Sequence, residues 1–361
     1  MEYSFLPTDE YVKVLGRTIM LEDCRVLCLS ASGVEFKYTG TKLSVSFIGD
    51  STTEVKDGEA EPFRDQARVG VFVDGICRLN AVITKPKMKF DVWFTEDNTE
   101  PGEHIVRIVK LSEPRMSSVG LGTITVTAIS KPEPTPYAEK FIEFIGDSIT
   151  CGYGVDEPDE WHCFSTTSED ATKAYAYLTA QKLGADYSLV SYSGHGLISG
   201  YTSNPEVPTL TELVQPYYNI FAYCYNNFKG LQMQSKKWSF DRKPDLIVIN
   251  LGTNDFSYVG LDEIKKAAFE EDYVDFLEQV HEANPESPIL IAFGLMGDDL
   301  FETEVSAAET FKEQSGFDKV YSFRIKPQDS AVNGYAADWH PSVASHRIAS
   351  EALSEFIKTI L

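Results

Sequence analysis

Two rhythms of apolar and polar residues divide the chain. Up to about residue 130 the period is two. Val34, Phe36 and Tyr38 alternate with polar neighbours, so do Leu43, Val45 and Phe47, and Val69, Val71 and Val73 run into Asp74-Gly75. Alternation marks strands with one buried face, and Asp-Gly between such runs is a strong hairpin signal. Val92-Trp93-Phe94, the 105–111 segment and Ile124-Thr125-Val126 add short strands, with turn residues between them and no amphipathic helix. The pattern predicts an all-β jelly-roll sandwich over 1–130. Lys131-Pro132-Glu133-Pro134-Thr135-Pro136 then interrupts it. Prolines this dense make a stiff, extended segment, so 131–138 reads as a linker.

From residue 139 the rhythm changes. Phe141, Ile142, Phe144 and Ile145 form a short bulky run suited to a strand buried on both faces. Ala171 to Leu183 reads as a helix closed by Gly184, and Tyr187 to Val190 as the next strand. Asp245 to Leu251 is a second wholly apolar strand. Tyr273, Phe276, Leu277 and Val280 then fall on one helical face. Pro288 to Phe293 and Lys319 to Phe323 are further strands, and a last helix carries Ala349, Leu353, Phe356, Ile357 and Ile360. Such alternation predicts an α/β domain over 139–361, with a parallel sheet covered by helices on both faces.

Composition narrows the partners more than the fold. The hydrophobic fraction of 43% and aromatic fraction of 12% belong to an ordered chain. A formal charge of −23 argues against nucleic acid or an anionic membrane surface and favours a neutral substrate. No apolar run approaches the ~20 residues of a membrane span. The N-terminus lacks a basic region followed by an apolar core, so the expected location is cytoplasmic, or secreted if a leader was removed. Six cysteines without paired metal spacing read as free, mostly buried thiols. The oligomeric state stays open, a homo-oligomer included.

The chemistry concentrates where the apolar strands stop. Gly146-Asp147-Ser148, Ser191-Tyr192-Ser193-Gly194-His195-Gly196 and Gly252-Thr253-Asn254-Asp255 each follow a strand. In a parallel sheet these ends share one edge and converge on one cleft. Asp338-Trp339-His340-Pro341-Ser342 precedes the last helix. Acyl transfer needs a hydroxyl, a base, an acceptor that orients the base, and donors aimed at an oxyanion. Ser148, His340 and Asp338 fit the first three roles. The N–H groups of Ser148 and Gly194 and the Asn254 amide fit the fourth. In an extended loop Asp338 and His340 would project to one side with Cα atoms about 6.6 Å apart, within reach of each other. Pro341 would open the final helix.

Gly-Asp-Ser-Ile at 146–149, the Ser193-Gly194 turn, Gly252-Thr253-Asn254-Asp255 and the late Asp338/His340 pair resemble the successive blocks of the SGNH (GDSL-type) hydrolases. The resemblance covers roughly 139–361. A β-sandwich before such a domain, with Asp-x-His-Pro at its end, resembles the family-2 carbohydrate esterases in particular. That likeness implies a three-layer α/β/α catalytic domain. It also implies removal of O-acetyl groups from xylan or other saccharides through a serine acyl-enzyme, with no metal or other cofactor. The broader superfamily usually separates the last Asp and His by two residues, whereas only Trp339 intervenes here. A backbone carbonyl is therefore the alternative orienter of His340. The rival functions are a lipid esterase or thioesterase built on the same constellation, and a carbohydrate-binding protein whose hydrolase domain is idle.

Several residues carry plainer readings beside these. Phe47-Ile48-Gly49-Asp50-Ser51 nearly repeats the Ser148 motif, but it lies in the β domain before an acidic loop and reads as a turn. Asp147 and Asp255 read as loop braces. Trp339, Tyr192 and Trp161, together with Tyr153, are candidates for a sugar-stacking wall, for which core packing is the competing reading. Gly152-Tyr153-Gly154 lacks the third glycine of a dinucleotide fingerprint.

Overall fold

The structure is a computed structural model and describes residues 1–54, 65–94 and 100–361. They form two compact units. One is Met1–Tyr137 with Ser165–Glu169 and Ala222–Ser235; the other is Ala138–Phe164 with Asp170–Phe221 and Lys236–Leu361.

In the first unit the chain forms β1 (Glu2–Phe5), β2 (Lys13–Leu15), β3 (Thr18–Met20), β4 (Arg25–Leu27), β5 (Gly33–Gly49), β6 (Arg68–Val73), β7 (Ile76–Val82), β8 (Lys87–Phe94), β9 (Gly102–Lys110), β10 (Val119–Ala128) and β11 (Glu133–Pro134). All their pairings are antiparallel, in the main order β3-β4-β10-β5-β9-β6-β7. The spine is β5, whose first half pairs with β9 and whose second half pairs with β10 and β8. Its alternating residues Val34, Phe36, Tyr38, Leu43, Val45 and Phe47 all enter the core, as do Val69, Val71 and Val73 of β6. This all-β unit is consistent with the expected sandwich. Asp74 and Gly75 both have positive φ, 52° and 76°, as the two-residue turn between β6 and β7 requires.

The near-repeat at Gly49-Asp50-Ser51 is a structural turn. Asp50 caps a short 3₁₀ turn, Ser51–Thr53, and its carboxylate accepts from the N–H groups of Thr52 at 3.0 Å and Ser118 at 2.7 Å. The acidic stretch that follows, 55–64, lies outside the described residues. Glu133–Pro134, within the stretch read as linker, pairs with β5.

The second unit holds a parallel sheet of β12 (Phe141–Gly146), β13 (Asp186–Ser191), β14 (Leu246–Asn250), β15 (Ile289–Gly294) and β16 (Val320–Ile325), in the order β13-β12-β14-β15-β16. Its helices are α1 (Ser148–Cys151), α2 (Tyr175–Lys182), α3 (Gln215–Tyr218), α4 (Thr253–Val259), α5 (Glu263–Ala283), α6 (Phe301–Ser315), α7 (Ser330–Asn333) and α8 (Val343–Ile357). Helix α2 packs on α8, and α5 packs on α6, giving the layers above and below the sheet. The apolar positions read from the sequence line the core: Tyr273, Phe276, Leu277 and Val280 of α5 are all buried.

Two local details differ from expectation. The helix read over 171–183 is a 3₁₀ turn, Ala171–Lys173, followed by α2, and Ser342 rather than Pro341 caps α8. Helix α6 has no counterpart in the sequence reading. Its buried face is Phe301, Glu304, Ala307, Ala308 and Phe311, so alanines and a carboxyl stand where large apolar residues would have announced it.

The chain begins its sheet at β12, turns to β13 on one side, then crosses to β14 on the other. The switch point therefore lies at the carboxyl end of β12, where open α/β sheets form clefts. Gly146 is needed there for space rather than for a special dihedral, since it is absent from the positive-φ residues. A Cβ at this position would lie 2.1 Å from Thr150 Oγ1 and 3.1 Å from the Asn250 carbonyl oxygen. Gly146→Ala is therefore expected to lower unfolding free energy by about 1–3 kcal/mol, the usual result of overpacking. Urea denaturation reads this directly, and a midpoint unchanged from wild type would contradict it.

Candidate active site

Register brings the strand ends level. Gly146 pairs with Ser191 on one side and Asn250 on the other, so the loops that follow begin side by side at one sheet edge. Asp147 makes the first turn. Its side chain accepts from Ile149 N at 2.9 Å and its carbonyl from Thr150 N and Cys151 N at 3.1 Å, which winds α1 immediately behind the strand. Ser148 thereby becomes the first residue of α1, with 6% of its surface exposed.

The last polar cluster meets it. Ser148 Oγ and His340 Nε2 are 2.8 Å apart. The other ring nitrogen, Nδ1, lies 3.1 Å from the Asp338 carbonyl oxygen and 3.2 Å from that of Ala337. Carbonyl oxygens only accept, so Nδ1 carries the proton and Nε2 is left to accept from the serine hydroxyl. Burial lowers the imidazole pKa to about 4; the two carbonyl bonds and the Asp338 charge act in the opposite sense. The ring is neutral at ordinary pH and suited to accept a proton.

The expected Asp338 carboxylate–imidazole bond is not what the structure contains. The segment is a tight turn rather than an extended loop. Asp338 has φ 49° and ψ 41°, and Trp339 has φ 58°. This left-handed pair aims the Asp338 carbonyl at the imidazole and its carboxylate elsewhere. Oδ2 accepts from Tyr153 OH at 2.7 Å and from Phe164 N at 3.2 Å. The Tyr153 ring, weighed in the sequence for sugar stacking, stacks on His340 at 4.1 Å and on Phe164 at 4.5 Å. Asp338 thus ties the 153–164 loop to the histidine turn. Spacing in the sequence shows Asp338 close to His340, but the left-handed turn that chooses between its two oxygen types leaves no mark there.

Among the described residues, the backbone N–H groups of Ser148 and Gly194 have no hydrogen-bond acceptor. Gly194 has φ 79° and is partly exposed, a conformation a side chain would strain. Asn254 is held more tightly. Its Nδ2 donates to the His195 carbonyl at 2.8 Å and to Asp147 Oδ2 at 3.2 Å. Burial pushes the Asp147 carboxyl up to about 7, against its bond from Ile149 and with help from the Asp255 charge. Asp255 Oδ1 accepts from three successive N–H groups, Leu197 and Ile198 at 2.8 Å and Ser199 at 3.1 Å. Both aspartates are loop braces here.

The aromatic candidates separate. Trp161 and Trp339 are 74% and 43% exposed and meet edge to face at 4.9 Å. Tyr192 is fully buried against His195 and Tyr217, so no sugar reaches it, which corrects its expected place in a stacking wall. Alternation could not decide this, because tyrosine suits a core and a rim equally. Among the described residues, no cluster of three His, Cys, Asp or Glu side chains could hold a metal ion, and no helix is long and apolar enough to cross a membrane.

The GDSL-like lipase/acylhydrolase family matches residues 144–348. Cellulase/esterase CelE of Acetivibrio thermocellus is 30% identical over 92% of this chain, which spans only 37% of that protein. An acetylxylan esterase/glucomannan deacetylase of Cellvibrio japonicus is 28% identical over 91% of this chain and 88% of its own length. A family two carbohydrate esterase from Clostridium thermocellum, solved in complex with cellohexaose, superposes with a TM-score of 0.78 at 25% identity, covering 96% of this chain and 98% of the other. This chain belongs to the GDSL-like lipase/acylhydrolase family, and within it resembles the family-2 carbohydrate esterases.

Proposed function

We propose that this protein removes O-acetyl groups from a polysaccharide or oligosaccharide, with Ser148 as nucleophile and His340 as general base. The observation that carries the reading is the 2.8 Å approach of Ser148 Oγ to an Nε2 left unprotonated by its carbonyl-bound partner nitrogen. Ser148 Oγ attacks the acetyl carbonyl carbon as its proton passes to His340 Nε2. The carbonyl oxygen becomes an oxyanion, for which the Ser148 and Gly194 N–H groups serve as donors. Asn254 joins them when its 3.2 Å bond to Asp147 yields to the new charge. His340 then protonates the departing sugar oxygen, leaving an acetyl-serine. A water gives its proton to His340 and attacks the acyl carbon. Acetate leaves, and Ser148 recovers its proton.

The sugar class is supported by the relatives named above and by the two exposed tryptophans beside the histidine turn, since indole faces stack well on pyranose rings. The base works without a carboxylate of its own. Its positive form is stabilised by two fixed carbonyl dipoles and, from farther off, by the Asp338 charge.

Acetate release from acetylated xylan, acetylated mannan and simple acetylated hexosides is expected for wild type and absent for Ser148→Ala; full turnover by that variant would remove the mechanism. Asp338→Asn keeps an acceptor for Tyr153 and Phe164 and leaves the backbone carbonyl in place. Its kcat should fall by no more than about tenfold, against roughly 10⁴-fold where a carboxylate itself holds the imidazole. A loss of that larger size would restore Asp338 to the triad. Only neutral His340 accepts a proton, so kcat/KM should be complete above its pKa and decline as pH falls through about 4. An acid limb centred at about 6.5, the ordinary imidazole value, would contradict the burial argument.

A further inference from the structure

Behind the loops of the site, a group of buried oxygens has no acceptor or donor among the described residues. Glu304 of α6 is completely buried, and neither carboxyl oxygen has a hydrogen-bond partner among the described residues. Tyr273 OH of α5, Asp255 Oδ2 of α4 and Thr253 Oγ1 are buried and unpartnered in the same way. The large majority of buried side-chain polar atoms in folded proteins have a partner, so orphans gathered in one place point to one they share.

Four observations put this group at the site's supports. A Cβ on Gly252 would lie 2.5 Å from Glu304 Oε1, so the carboxyl rests directly on the turn that leads into Asn254. A Cβ on Gly196 would lie 2.6 Å from Asp255 Oδ2, so the second carboxyl rests on the loop that follows Gly194. The other oxygen of Asp255 already binds the N–H groups of 197–199. Tyr273 feels the charge of both acids.

We propose that Glu304 is a positioning residue for the ester site, holding with Asp255 and Tyr273 an internal water that braces the Gly252 turn and the 197–199 loop. The inference rests on the esterase reading above and adds the device that keeps its oxyanion donors in place. Water fits these groups because it can donate to Asp255 and accept from Tyr273 and from a protonated Glu304. A cation fits poorly. Burial first, then the like charge of Asp255, raises Glu304 well above the usual carboxylate range. Burial likewise pushes Asp255 up to about 6. Protons rather than a metal balance the pair. The bracing matters because a displacement of about 1 Å at a reacting group can lower the rate about 10²-fold.

The test compares Glu304→Gln, which keeps a neutral hydrogen-bonding group, with Glu304→Leu, which fills the space without one. Each is assayed on para-nitrophenyl acetate, with kcat normalised to the sites titrated by an organophosphonate. Glu304→Leu is expected to lose about tenfold or more in kcat, with KM within about twofold, while Glu304→Gln stays within about threefold of wild type. A purely structural role would lower the melting temperature of Glu304→Leu and leave its per-site kcat intact, which would overturn the proposal. Equal losses in the two variants would overturn it too, by making the negative charge the requirement. Should Glu304→Leu yield no folded protein, Tyr273→Phe replaces it and is read by the same kcat criterion.

A high-resolution crystal structure of the wild type provides a reading independent of turnover. Ordered water within hydrogen-bonding distance of Glu304, Asp255 and Tyr273 supports the proposal. Dry side chains or a coordinated cation there would sink it. Absence of ester turnover in the wild type would instead defeat the esterase reading, leaving the crystallographic result to stand alone.

Discussion

The site depends on one hydrogen-bonding arrangement, the sharing of His340 Nδ1–H between the carbonyls of Ala337 and Asp338. It fixes the tautomer, and the tautomer makes Nε2 a base facing Ser148. A side-chain carboxylate could supply the same orientation with a full charge. The backbone supplies it through geometry, and the geometry is strained. Asp338 and Trp339 both sit in the left-handed region, where each non-glycine residue costs about 1–3 kcal/mol. The turn persists because its flanks are tied down. Ala336 N donates to the His340 carbonyl at 2.8 Å, and the Asp338 carboxylate takes Tyr153 OH and Phe164 N. The acid in this motif holds the backbone that holds the base.

The same division of labour runs through the sheet edge. Parallel register places Gly146, Ser191 and Asn250 at one level, yet the loops beyond them are shaped by buried carboxyls. Asp147 winds the serine helix, and Asp255 gathers three consecutive N–H groups. Glycines sit where buried carboxyls press on backbone, Asp255 at 196 and Glu304 at 252. Burial raises the pKa of both aspartates, and hydrogen bonds hold each in place. Buried polar networks of this kind fix a loop well only when every member is satisfied.

Much of this was legible in the amino-acid order. Period-two alternation marks the inward faces of β5 and β6, because side-chain direction in a strand follows sequence parity, and Asp74-Gly75 marks the turn from β6 into β7. The apolar runs at 141, 246 and 289 marked the central strands. The polar clusters behind them marked the cleft, and the late His340 does meet Ser148. What stayed hidden depends on backbone dihedrals and on polar burial. Nothing in Asp-Trp-His announces a left-handed turn, so the sequence points to the carboxylate of Asp338 as the orienter. Tyr192 could not be assigned to core or rim from its type. Helix α6 is hidden from the sequence pattern because its inward stripe contains Glu304, and hydrophobic periodicity cannot register a carboxyl that is buried.

The central claim is that the hydroxyl at position 148 is the group that becomes acylated. Labelling the full chain with a fluorophosphonate and mapping the adduct by peptide mass spectrometry addresses it most directly. The account predicts one stoichiometric adduct, on the peptide carrying Ser148, with acetate release lost in step with labelling. An adduct at another serine, or undiminished acetate release after complete labelling of Ser148, would contradict it.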